Sequence, residues 1–497
     1  MSAAAAARLT RRGLAGLAGR VPLPADAPAQ AGIVHLGLGS FHRAHQALYT
    51  ARALEREPGP WGIVGVAHRS RRVTDALRAQ DGLYGILELG GSDAMPLVVG
   101  VHSELLVAAE QPDAVVARLA DPAIRIATLT VTERGYPARA ATGALDTGLP
   151  QVRADLGGAL PTTTIGLLVR GLQRRWRGHG EPMAIVSCDN LDANGQRTRG
   201  LVLEFAGLLP EPDAPELRAW IERSIAFPST MVDRIVPATR SEHRARAAEL
   251  LGLDDAAPVV AEPFHMWVLE DRFPGGRPSW ETAGAIFSDE VERYEQLKLR
   301  LLNATHSLVA YLGLLAGARS IAEAIARPEI RAAAEHAIHA ELRPTFDAPA
   351  QVDVPRYVDA LLQRFANAAL DHRTCQVASD GSTKLPARIT GAVLHHTSRG
   401  LVPRTLALGV AAFIRCLATP DAYDAAALGA IADPERGRLE ALGRRAHDSR
   451  ELVEAVFELG IFAPALAQAS AFVEAVAELH AVLVAHDHRA GIDAAIR

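Results

Sequence analysis

Residues 33–39 read IVHLGLG, a short apolar run that ends in a Gly-x-Gly turn. The run predicts a buried strand, and the helical pattern of residues 42–55 places the turn between a strand and a helix. In such a turn Gly37 permits the bend, and Gly39 lets the backbone approach a pyrophosphate at the helix N-terminus. His42 stands where a third glycine is usual, so a dinucleotide site and an ordinary strand-to-helix turn both stay open.

Strand and helix patterns alternate after this turn, and the alternation predicts a mostly parallel, doubly wound sheet. Beyond about residue 285 the periodicity and the Ala/Leu content become helical. We therefore predict an α/β domain over residues 31–285 and an all-α domain over residues 286–497. Residues 226–237 and 259–270 are further strand candidates that could extend the sheet. The predicted strands cover residues 63–67, 83–89, 98–107, 124–132 and 183–187.

Composition excludes several classes of protein. The chain of 497 residues is 49% hydrophobic and 22% charged, which is ordinary for a globular protein with a sizeable core. Its net charge of −5, with both signs intermixed, argues against a nucleic-acid or anionic-membrane partner, and no apolar stretch approaches a membrane span. The chain has three cysteines, Cys188, Cys375 and Cys416, which lie far apart in the sequence and cannot all form disulfides. This usage indicates a reducing, cytoplasmic location. Residues 1–30 are interpreted as a mobile, Ala/Pro-rich lead-in.

The end of the second predicted strand bears on the choice of coenzyme. A carboxylate there favours NAD, because it binds the adenosine ribose, whereas arginines favour the 2′-phosphate of NADP. Residues 68–72 read HRSRR, and the first acid is Asp75. This cluster, which includes Arg69, is compatible with a 2′-phosphate site and equally with a solvated helix start.

Lysine and asparagine are scarce. Of 52 basic side chains only Lys298 and Lys384 are lysines, and the asparagines are Asn190, Asn194, Asn303 and Asn367. Arginine cannot lose its proton near neutral pH, whereas a buried lysine can, so the two lysines are candidates for proton transfer. Chance survival is the competing explanation.

Residues 296–313 read QLKLRLLNATHSLVAYLG and form a predicted helix that is apolar apart from a polar stripe. At 100° per residue, Asn303 lies about 140° and His306 about 80° around the helix from Lys298, so the three share one side. They could be satisfied core groups, but together they favour a site for oxidising a secondary alcohol. A desolvated lysine can take the hydroxyl proton, amide donors can stabilise the alkoxide, and the histidine can orient the substrate.

Two competing motifs overlap these regions. Tyr294 and Lys298 match the Tyr-x-x-x-Lys pair of short-chain dehydrogenases, but the pair lies far too distant from the glycines for that compact family. His42-x-x-His45 and His395-His396 could suggest metal ligation, yet neither has a companion carboxylate or cysteine at ligand spacing. We expect no metal.

Several segments resemble the mannitol dehydrogenase family of polyol-specific long-chain dehydrogenases. They fall in the family's order over residues 33 to about 417 and read GLGSFHRAHQ (37–46), TERGY (132–136), SCDNLDANG (187–195), FPSTMVDRIVP (227–237), KLRLLNATHS (298–307) and DGSTKLPARI (380–389). The resemblance implies a Rossmann-type N-terminal domain, a helical C-terminal domain, a site in the cleft between them and a metal-free, NAD-linked reaction.

The resemblance also implies roles for individual residues. Lys298 is the expected general base, and Asn194 and Asn303 are the expected pair that stabilises the alkoxide. His306 is expected to position the substrate. Contacts with substrate hydroxyls are expected from Asp233, Lys384 and Asn190. Cofactor contacts are expected from Gly37, Gly39, Phe41, Arg69 and Thr132.

One departure affects the substrate. Gln376 stands where the mannitol-specific members carry arginine, and residues 375–388 are closer to the branch that converts fructuronate to mannonate. We predict an NAD(H)-dependent enzyme of mannitol–fructose type, with fructuronate reduction as the alternative, NADP not excluded, and a non-catalytic NAD-binding sensor as the alternative of another class. The expected partner is a small polyol, ketose or hexuronate, and the chain is expected to be a monomer or weak homo-oligomer.

Overall fold

The computed structural model describes residues 7–16, 28–90, 95–139, 142–419 and 430–496. The chain divides into two compact units, Met1–Glu292 and Arg293–Arg497, and each is described by itself. The first unit extends beyond residue 285, where the domain boundary was predicted. It does so because Ile286–Phe287 form a strand that pairs with Val268 and Leu269 of the same unit.

The first unit alternates strands and helices. Its strands are β1 (Ala31–Leu36), β2 (Gly62–Ala67), β3 (Tyr84–Glu88), β4 (Leu97–Val99), β5 (His102–Val107), β6 (Ile126–Leu129), β7 (Met183–Ser187), β8 (Ile225–Ala226), β9 (Thr230–Asp233), β10 (Val259–Ala261), β11 (Met266–Leu269) and β12 (Ile286–Phe287). Its helices are α1 (Arg11–Ala15), α2 (Ser40–Ala44), α3 (Gln46–Arg56), α4 (Arg71–Arg78), α5 (Pro112–Leu119), α6 (Pro150–Leu156), α7 (Thr164–Gly178), α8 (Asn194–Gly207), α9 (Ala214–Ser224) and α10 (Ser241–Leu251). Short 3₁₀ turns cover Glu133–Gly135 and Trp280–Ala283.

The central sheet has six parallel strands in the order β5-β2-β1-β6-β7-β8. Counted along the chain within this sheet, the order is 3-2-1-4-5-6, which is that of the dinucleotide-binding doubly wound fold. The chain reverses direction across the sheet between β1 and β6, and ligands of such sheets bind at the carboxyl ends of the strands beside that point. The predicted α/β class is confirmed.

Both faces of the central sheet are covered, so its strands are buried on both sides and read as continuous apolar runs. One face packs with side chains of α5, α7, α8 and α9 around Val34, Val64 and Ile185. The opposite face packs with side chains of α3 and α4 around Ile33, Ile63 and Val186. This three-layer core fixes the positions of the strand ends, where the candidate site begins.

Two three-stranded sheets flank the central one, in the orders β10-β3-β4 and β12-β11-β9. Residues 226–237 and 259–270 were predicted as possible extensions of the central sheet. Only the short β8, at the start of the first range, joins that sheet, by pairing with β7. The other strands pair elsewhere, since β9 runs antiparallel to β11 and β10 runs parallel to β3.

Residues 7–16 are packed, which corrects the prediction of a mobile lead-in for this part of residues 1–30. Leu9 and Leu14 are buried in a small apolar cluster with Leu83, Leu251 and Leu253. The backbone N–H of Leu9 donates to the carbonyl of Asp254 at 2.8 Å. Leu9 and Leu14 are thus core side chains of the first unit. The other residues of the lead-in up to residue 27 lie outside the described residues.

The second unit is helical, as predicted. Its helices are α11 (Val291–Leu297), which begins just before the division, α12 (Thr305–Leu315), α13 (Ile321–Ile325), α14 (Pro328–His336), α15 (Val354–Phe365), α16 (Thr374–Ala378), α17 (Gly381–Thr397) and α18 (Arg404–Ala418). Further helices are Arg436–Arg445, Ser449–Glu458, Pro464–Ala467, Ser470–Ala485 and His488–Ile496. π-Helical turns cover Lys298–Ala304 and Ala337–Leu342, and 3₁₀ turns cover Arg343–Thr345 and Ala368–Leu370.

Two central helices form the core of this unit. Every residue of α12 is buried, and so is nearly every residue of α18, which packs against α12 and against Ser470–Ala485. The helix that carries the polar stripe is therefore held rigidly along its C-terminal half. Across the described parts of both units, none of the helices combines the length and apolarity that a membrane crossing requires.

Candidate active site

The Gly-x-Gly turn follows β1 directly. Gly37 has φ +109°, and a Cβ there would lie 2.1 Å from the Thr130 carbonyl oxygen, so only glycine fits. A Cβ on Gly39 would meet only the Gly37 carbonyl, at 3.7 Å, and would otherwise project into open space. Gly39 therefore leaves room for a ligand at the start of α2.

That open space is a cavity of about 880 Å³ at the carboxyl ends of β1, β2 and β6. It is lined by predicted cofactor residues Gly37, Gly39, Arg69 and Thr132. Phe41 does not line it, because its ring stacks on His45 with centroids 4.9 Å apart and packs against the core. The glycine cradle and the size of the cavity fit a dinucleotide, whereas the prediction that Phe41 contacts the coenzyme finds no support in the cavity lining.

Buried histidines pack against the Gly-x-Gly turn. His35 Nε2 lies 3.0 Å from the Gly37 carbonyl oxygen, and its Nδ1 lies 2.7 Å from Thr128 Oγ1. The His42 ring stacks on His35 at 3.4 Å, and its Nε2 lies 3.0 Å from His102 Nε2. Burial lowers the pKa of His35 and of His102 to about 3, and that of His42 well below its ordinary value. The group is therefore neutral at physiological pH, and its packing explains why His42 replaces a glycine.

Asp189 is a residue that the sequence reasoning missed. Its carboxylate accepts hydrogen bonds from the backbone N–H groups of Val131 and Thr132, at 3.1 and 2.8 Å, and from the hydroxyl of Tyr136 at 2.8 Å. Thr132 has φ +63°, a conformation that costs a non-glycine residue free energy. Burial raises the pKa of Asp189, and the three donors oppose that shift. Asp189 thus holds a strained segment of the cavity wall, and its place within SCDN was the available signal.

Asn194 and Asp233 are both connected to β9: Asn194 hydrogen-bonds its first residue, Thr230, and Asp233 is its last residue. Asn194, at the start of α8, is fully buried. Its Nδ2 donates to Thr230 O at 2.9 Å, Thr230 Oγ1 at 3.1 Å and Asp189 O at 3.2 Å, and its Oδ1 accepts from Thr230 N at 3.0 Å. Asp233 is buried as the last residue of β9, and Asn190 is exposed beyond β7. The two protons of the Asn194 amide already serve three acceptors, with which a substrate oxygen would have to compete.

In the second unit, the helix that carries Lys298, Asn303 and His306 is interrupted by the π-helical turn Lys298–Ala304. A π turn is wider than an α turn and advances fewer degrees per residue, so it brings Asn303 closer to the face of Lys298 than the 140° of a regular α-helix. His306 follows one α turn later. The irregularity therefore aligns the three side chains more closely than regular helical geometry predicts. Lys298 and Asn303 are half-buried.

His306 is enclosed by aromatic and cationic groups. Its ring stacks on Phe365 at 4.8 Å and meets His372 edge-on at 5.0 Å. Burial, followed by the charges of His372, Arg388, Arg364 and Lys384, lowers its pKa well below 6.5. Its Nε2 is buried and has no hydrogen-bond partner among the described residues. A neutral imidazole with one open nitrogen is suited to orient a polar ligand.

Helix α17 contributes two cations. Lys384 Nζ donates to the Ser379 carbonyl at 2.7 Å, and burial and the Arg388 charge lower its pKa. Arg388, which was not predicted, donates to the Asn303 carbonyl at 3.1 Å and to Ser307 Oγ at 2.6 Å. Arg388 ties α17 to the π turn, and its i+4 spacing from Lys384 was the available signal.

The competing motifs do not form sites. Tyr294 is 1% exposed and belongs to the core of α11, which disfavours it as an acid that must reach a substrate. The Nε2 atoms of His42 and His45 contact His102 Nε2 and the Met266 carbonyl, respectively. Within the described residues, His, Cys, Asp and Glu side chains form no group of three or more that could hold a metal.

These features define a two-unit protein with a dinucleotide-binding sheet and a helical unit that carries a lysine–asparagine–histidine series. The chain belongs to the mannitol dehydrogenase family: residues 31–282 match the mannitol dehydrogenase Rossmann domain, and residues 290–483 match the mannitol dehydrogenase C-terminal domain.

Known proteins cover most of the chain. D-mannonate oxidoreductase of Escherichia coli is 39% identical over 89% of this chain and 91% of its own. Polyol:NADP oxidoreductase of Gluconobacter oxydans is 38% identical over 78% of this chain and 80% of its own. The structure of Pseudomonas fluorescens mannitol 2-dehydrogenase in complex with NAD and D-mannitol superposes with a TM-score of 0.83 and 35% identity, over 98% of each chain.

Proposed function

We propose that this chain is a nicotinamide-dependent oxidoreductase that interconverts a secondary alcohol and a ketone, with mannitol and fructose as the leading pair. The observation that carries the proposal is the π turn, which brings Lys298 and Asn303 toward one face of the helix that also carries His306. His306 is neutral, and its Nε2 has no hydrogen-bond partner among the described residues. Similar proteins that span most of the chain are named mannitol 2-dehydrogenase, D-mannonate oxidoreductase and polyol:NADP oxidoreductase, which supports the proposal.

Each residue of the series has a proposed task. Lys298 takes the proton of the reacting hydroxyl, since a partly desolvated amine is a competent base. The amide of Asn303 donates to the developing alkoxide. His306 donates to or accepts from a neighbouring hydroxyl and so fixes the orientation of the substrate. Asp233, Asn190 and Lys384 bind further hydroxyls, and Asn194 ties the segment after β7 to the start of β9 through its hydrogen bonds to Asp189 and Thr230.

The first unit holds the coenzyme. Gly37 and Gly39 leave space for the pyrophosphate at the start of α2, and Arg69 and Thr132 bind along the cavity wall. When bound, the nicotinamide supplies the hydride acceptor for the oxidation. The hydrogen bonds of Asp189 to residues 131 and 132 keep that wall in its strained shape.

Reduction of fructuronate is the second candidate, and a specific observation favours it. Arg364, Arg388 and Lys384 lie near enough to His306 to contribute to its lowered pKa, so the surroundings of His306 are cationic. A cationic, partly desolvated surface favours a carboxylate substrate over a neutral polyol. Gln376 lies exposed on α16, where mannitol-specific members of the family are expected to carry arginine.

A coenzyme-oxidation screen separates these candidates. We expect loss of NADH or NADPH absorbance with fructose, fructuronate, tagaturonate or xylulose. Activity with hexuronates alone would overturn the mannitol assignment and keep the mechanism. Coenzyme binding without turnover on any substrate would instead identify a sensor. Tyr294→Phe is the control for the short-chain mechanism, and we expect only mild loss of turnover because Tyr294 is a core side chain.

We further propose that the protein works in the cytoplasm on small molecules. Cys188, Cys375 and Cys416 are free, which fits a reducing compartment. The net charge of −5 gives no electrostatic basis for a nucleic-acid partner. A monomer or weak homo-oligomer is expected, and sedimentation of the purified chain would test it.

A further inference from the structure

The adenosine end of the coenzyme cavity carries no carboxylate. In a doubly wound sheet of this order, the residue just after the second strand meets the adenosine ribose. Here β2 ends at Ala67, and His68, Arg69 and Ser70 follow it along the cavity wall. The residues that line the cavity include no Asp or Glu. The carboxylate that would favour a free ribose 2′-hydroxyl is therefore missing from the described wall.

Arg69 supplies positive charge at this position, and its charge is not neutralised within the protein. It is exposed, and among the described residues it forms no ion pair or side-chain hydrogen bond. Burial and then the Arg69 charge lower the pKa of His68, so the neighbouring imidazole is neutral and can donate one N–H. An arginine without a counter-ion, at the rim of a ligand cavity, is suited to bind a phosphate.

The next arginine along the chain differs. Arg71 Nε lies 3.7 Å from Asp75 Oδ2 and 3.6 Å from Glu110 Oε1, so acids partly neutralise it. It does not line the cavity. Ser70 caps α4 by accepting from the backbone N–H of Arg72, which leaves its own hydroxyl proton free to donate. The unneutralised charge and the free donors thus converge on residues 68–70.

We propose that His68, Arg69 and Ser70 form a binding subsite for the 2′-phosphate of the coenzyme, so that the enzyme prefers NADP(H) over NAD(H). The proposal rests on the proposed function, because it assumes that the cavity holds a nicotinamide dinucleotide. It goes beyond that function by assigning the coenzyme and the residues that select it. Arg69 provides the charge, and His68 and Ser70 provide neutral donors.

Equilibrium binding tests the subsite without turnover. Adenosine 2′,5′-bisphosphate and AMP differ only in the 2′-phosphate, and either can be titrated against the full chain by calorimetry. We expect the bisphosphate to bind roughly tenfold more tightly or better, as one charge-assisted hydrogen bond provides about 1.5–3 kcal/mol. The advantage should shrink as salt is raised, because the subsite is exposed. Equal affinities, or tighter AMP, would overturn the proposal.

Variants identify the residue responsible. Arg69→Gln should remove most of the preference for the bisphosphate over AMP and for NADPH over NADH, because it removes the charge that the 2′-phosphate would contact. Arg71→Gln is the matched control, since Arg71 is engaged by Asp75 and Glu110, and we expect it to keep the preference. An equal loss for both ligands in Arg69→Gln would indicate general electrostatic attraction and contradict a subsite.

The outcomes also separate this inference from the proposed function. A 2′-phosphate preference in a chain that turns over no polyol or hexuronate would contradict the proposed function and keep the subsite. Turnover with NADH together with negligible binding of NADPH would keep the function and refute the subsite. Arg69 is exposed, so both variants should fold, and their thermal unfolding should match that of the unchanged protein.

Discussion

The coenzyme cavity and the polar helix both depend on buried neutral histidines, but they use them differently. In the first unit, both ring nitrogens of His35 contact protein groups, namely the Thr128 hydroxyl and the Gly37 carbonyl, and His35 stacks on His42. In the second unit, the Nε2 of His306 has no partner among the described residues, and cations lower its pKa further. A histidine such as His35, with both nitrogens bonded to the protein, supports the fold, whereas we propose that His306, with an open nitrogen among cationic neighbours, orients a ligand.

This difference predicts that the two regions fail in different ways. Changes in the first unit should alter coenzyme binding and stability. Changes along the helix of the second unit should alter turnover and substrate affinity, and should leave coenzyme binding intact. The following variants test the contrast, beginning with the largest expected effect.

Lys298→Ala should reduce turnover by roughly 10²–10⁴-fold, which is the usual contribution of a general base. Coenzyme affinity, followed by quenching of tryptophan fluorescence, should change by less than about twofold. All 5 tryptophans lie between residues 61 and 280, so the signal reports on the first unit. Added small primary amines should restore part of the rate if the missing group is the base.

Lys384→Ala serves as the comparison for the same residue type. Lys384 donates to the Ser379 carbonyl and is proposed to bind substrate, so its loss should raise KM more than it lowers kcat. Near-normal turnover of Lys298→Ala at saturating substrate would remove Lys298 as the base. A parallel loss of coenzyme affinity would break the separation between the two regions.

Asp189→Asn should weaken coenzyme binding and lower the free energy of unfolding by about 1–3 kcal/mol. The carboxylate accepts from three donors, and an amide nitrogen would face one of them without a hydrogen bond. Asp192→Asn, at an exposed neighbour, is the control and should leave both quantities unchanged. If Asp189→Asn binds coenzyme normally, the strained segment at Thr132 does not depend on this carboxylate.

Sequence patterns predicted the sheet and its glycine turn because these depend on local signals. Apolar runs and the requirement for glycine at φ +109° at position 37 are properties of a few consecutive residues. The roles of His35 and His102 could not be predicted this way, because the residues that contact each other lie 60 or more positions apart in pairs such as His42 and His102. Leu9 and Leu14 were misjudged for the same reason, since their packing partners lie near residues 83 and 251.

The residues of the candidate site likewise divide into those that the sequence predicted and those that only the structure shows. Scarcity of lysine and asparagine singled out Lys298, Asn303 and Lys384 without any structure. The π turn was beyond that reasoning, since a regular α-helix was assumed, and it changes the angle between Lys298 and Asn303. Asp189 and Arg388 were missed because aspartate and arginine are common in this chain, so only their contacts distinguish them.

The smallest effect concerns acid stability of the first unit. The folded-state pKa of His35, His45 and His102 is about 3, below the ordinary 6.5. Between these values the unfolded chain binds protons that the folded chain does not, so the free energy of unfolding falls as pH is lowered. Each such histidine contributes a slope of up to about 1.4 kcal/mol per pH unit.

His102→Gln removes one of these groups, so the pH dependence of the free energy of unfolding should become less steep by the contribution of one histidine. Glutamine can still contact His42, while Arg43 and Tyr84 face the same position. Urea unfolding followed by tryptophan fluorescence at several pH values between about 4 and 6 measures the slope for the first unit alone. A slope that does not respond to His102→Gln would mean that this histidine titrates alike in the folded and unfolded chains, contrary to the neutral support described for the coenzyme turn.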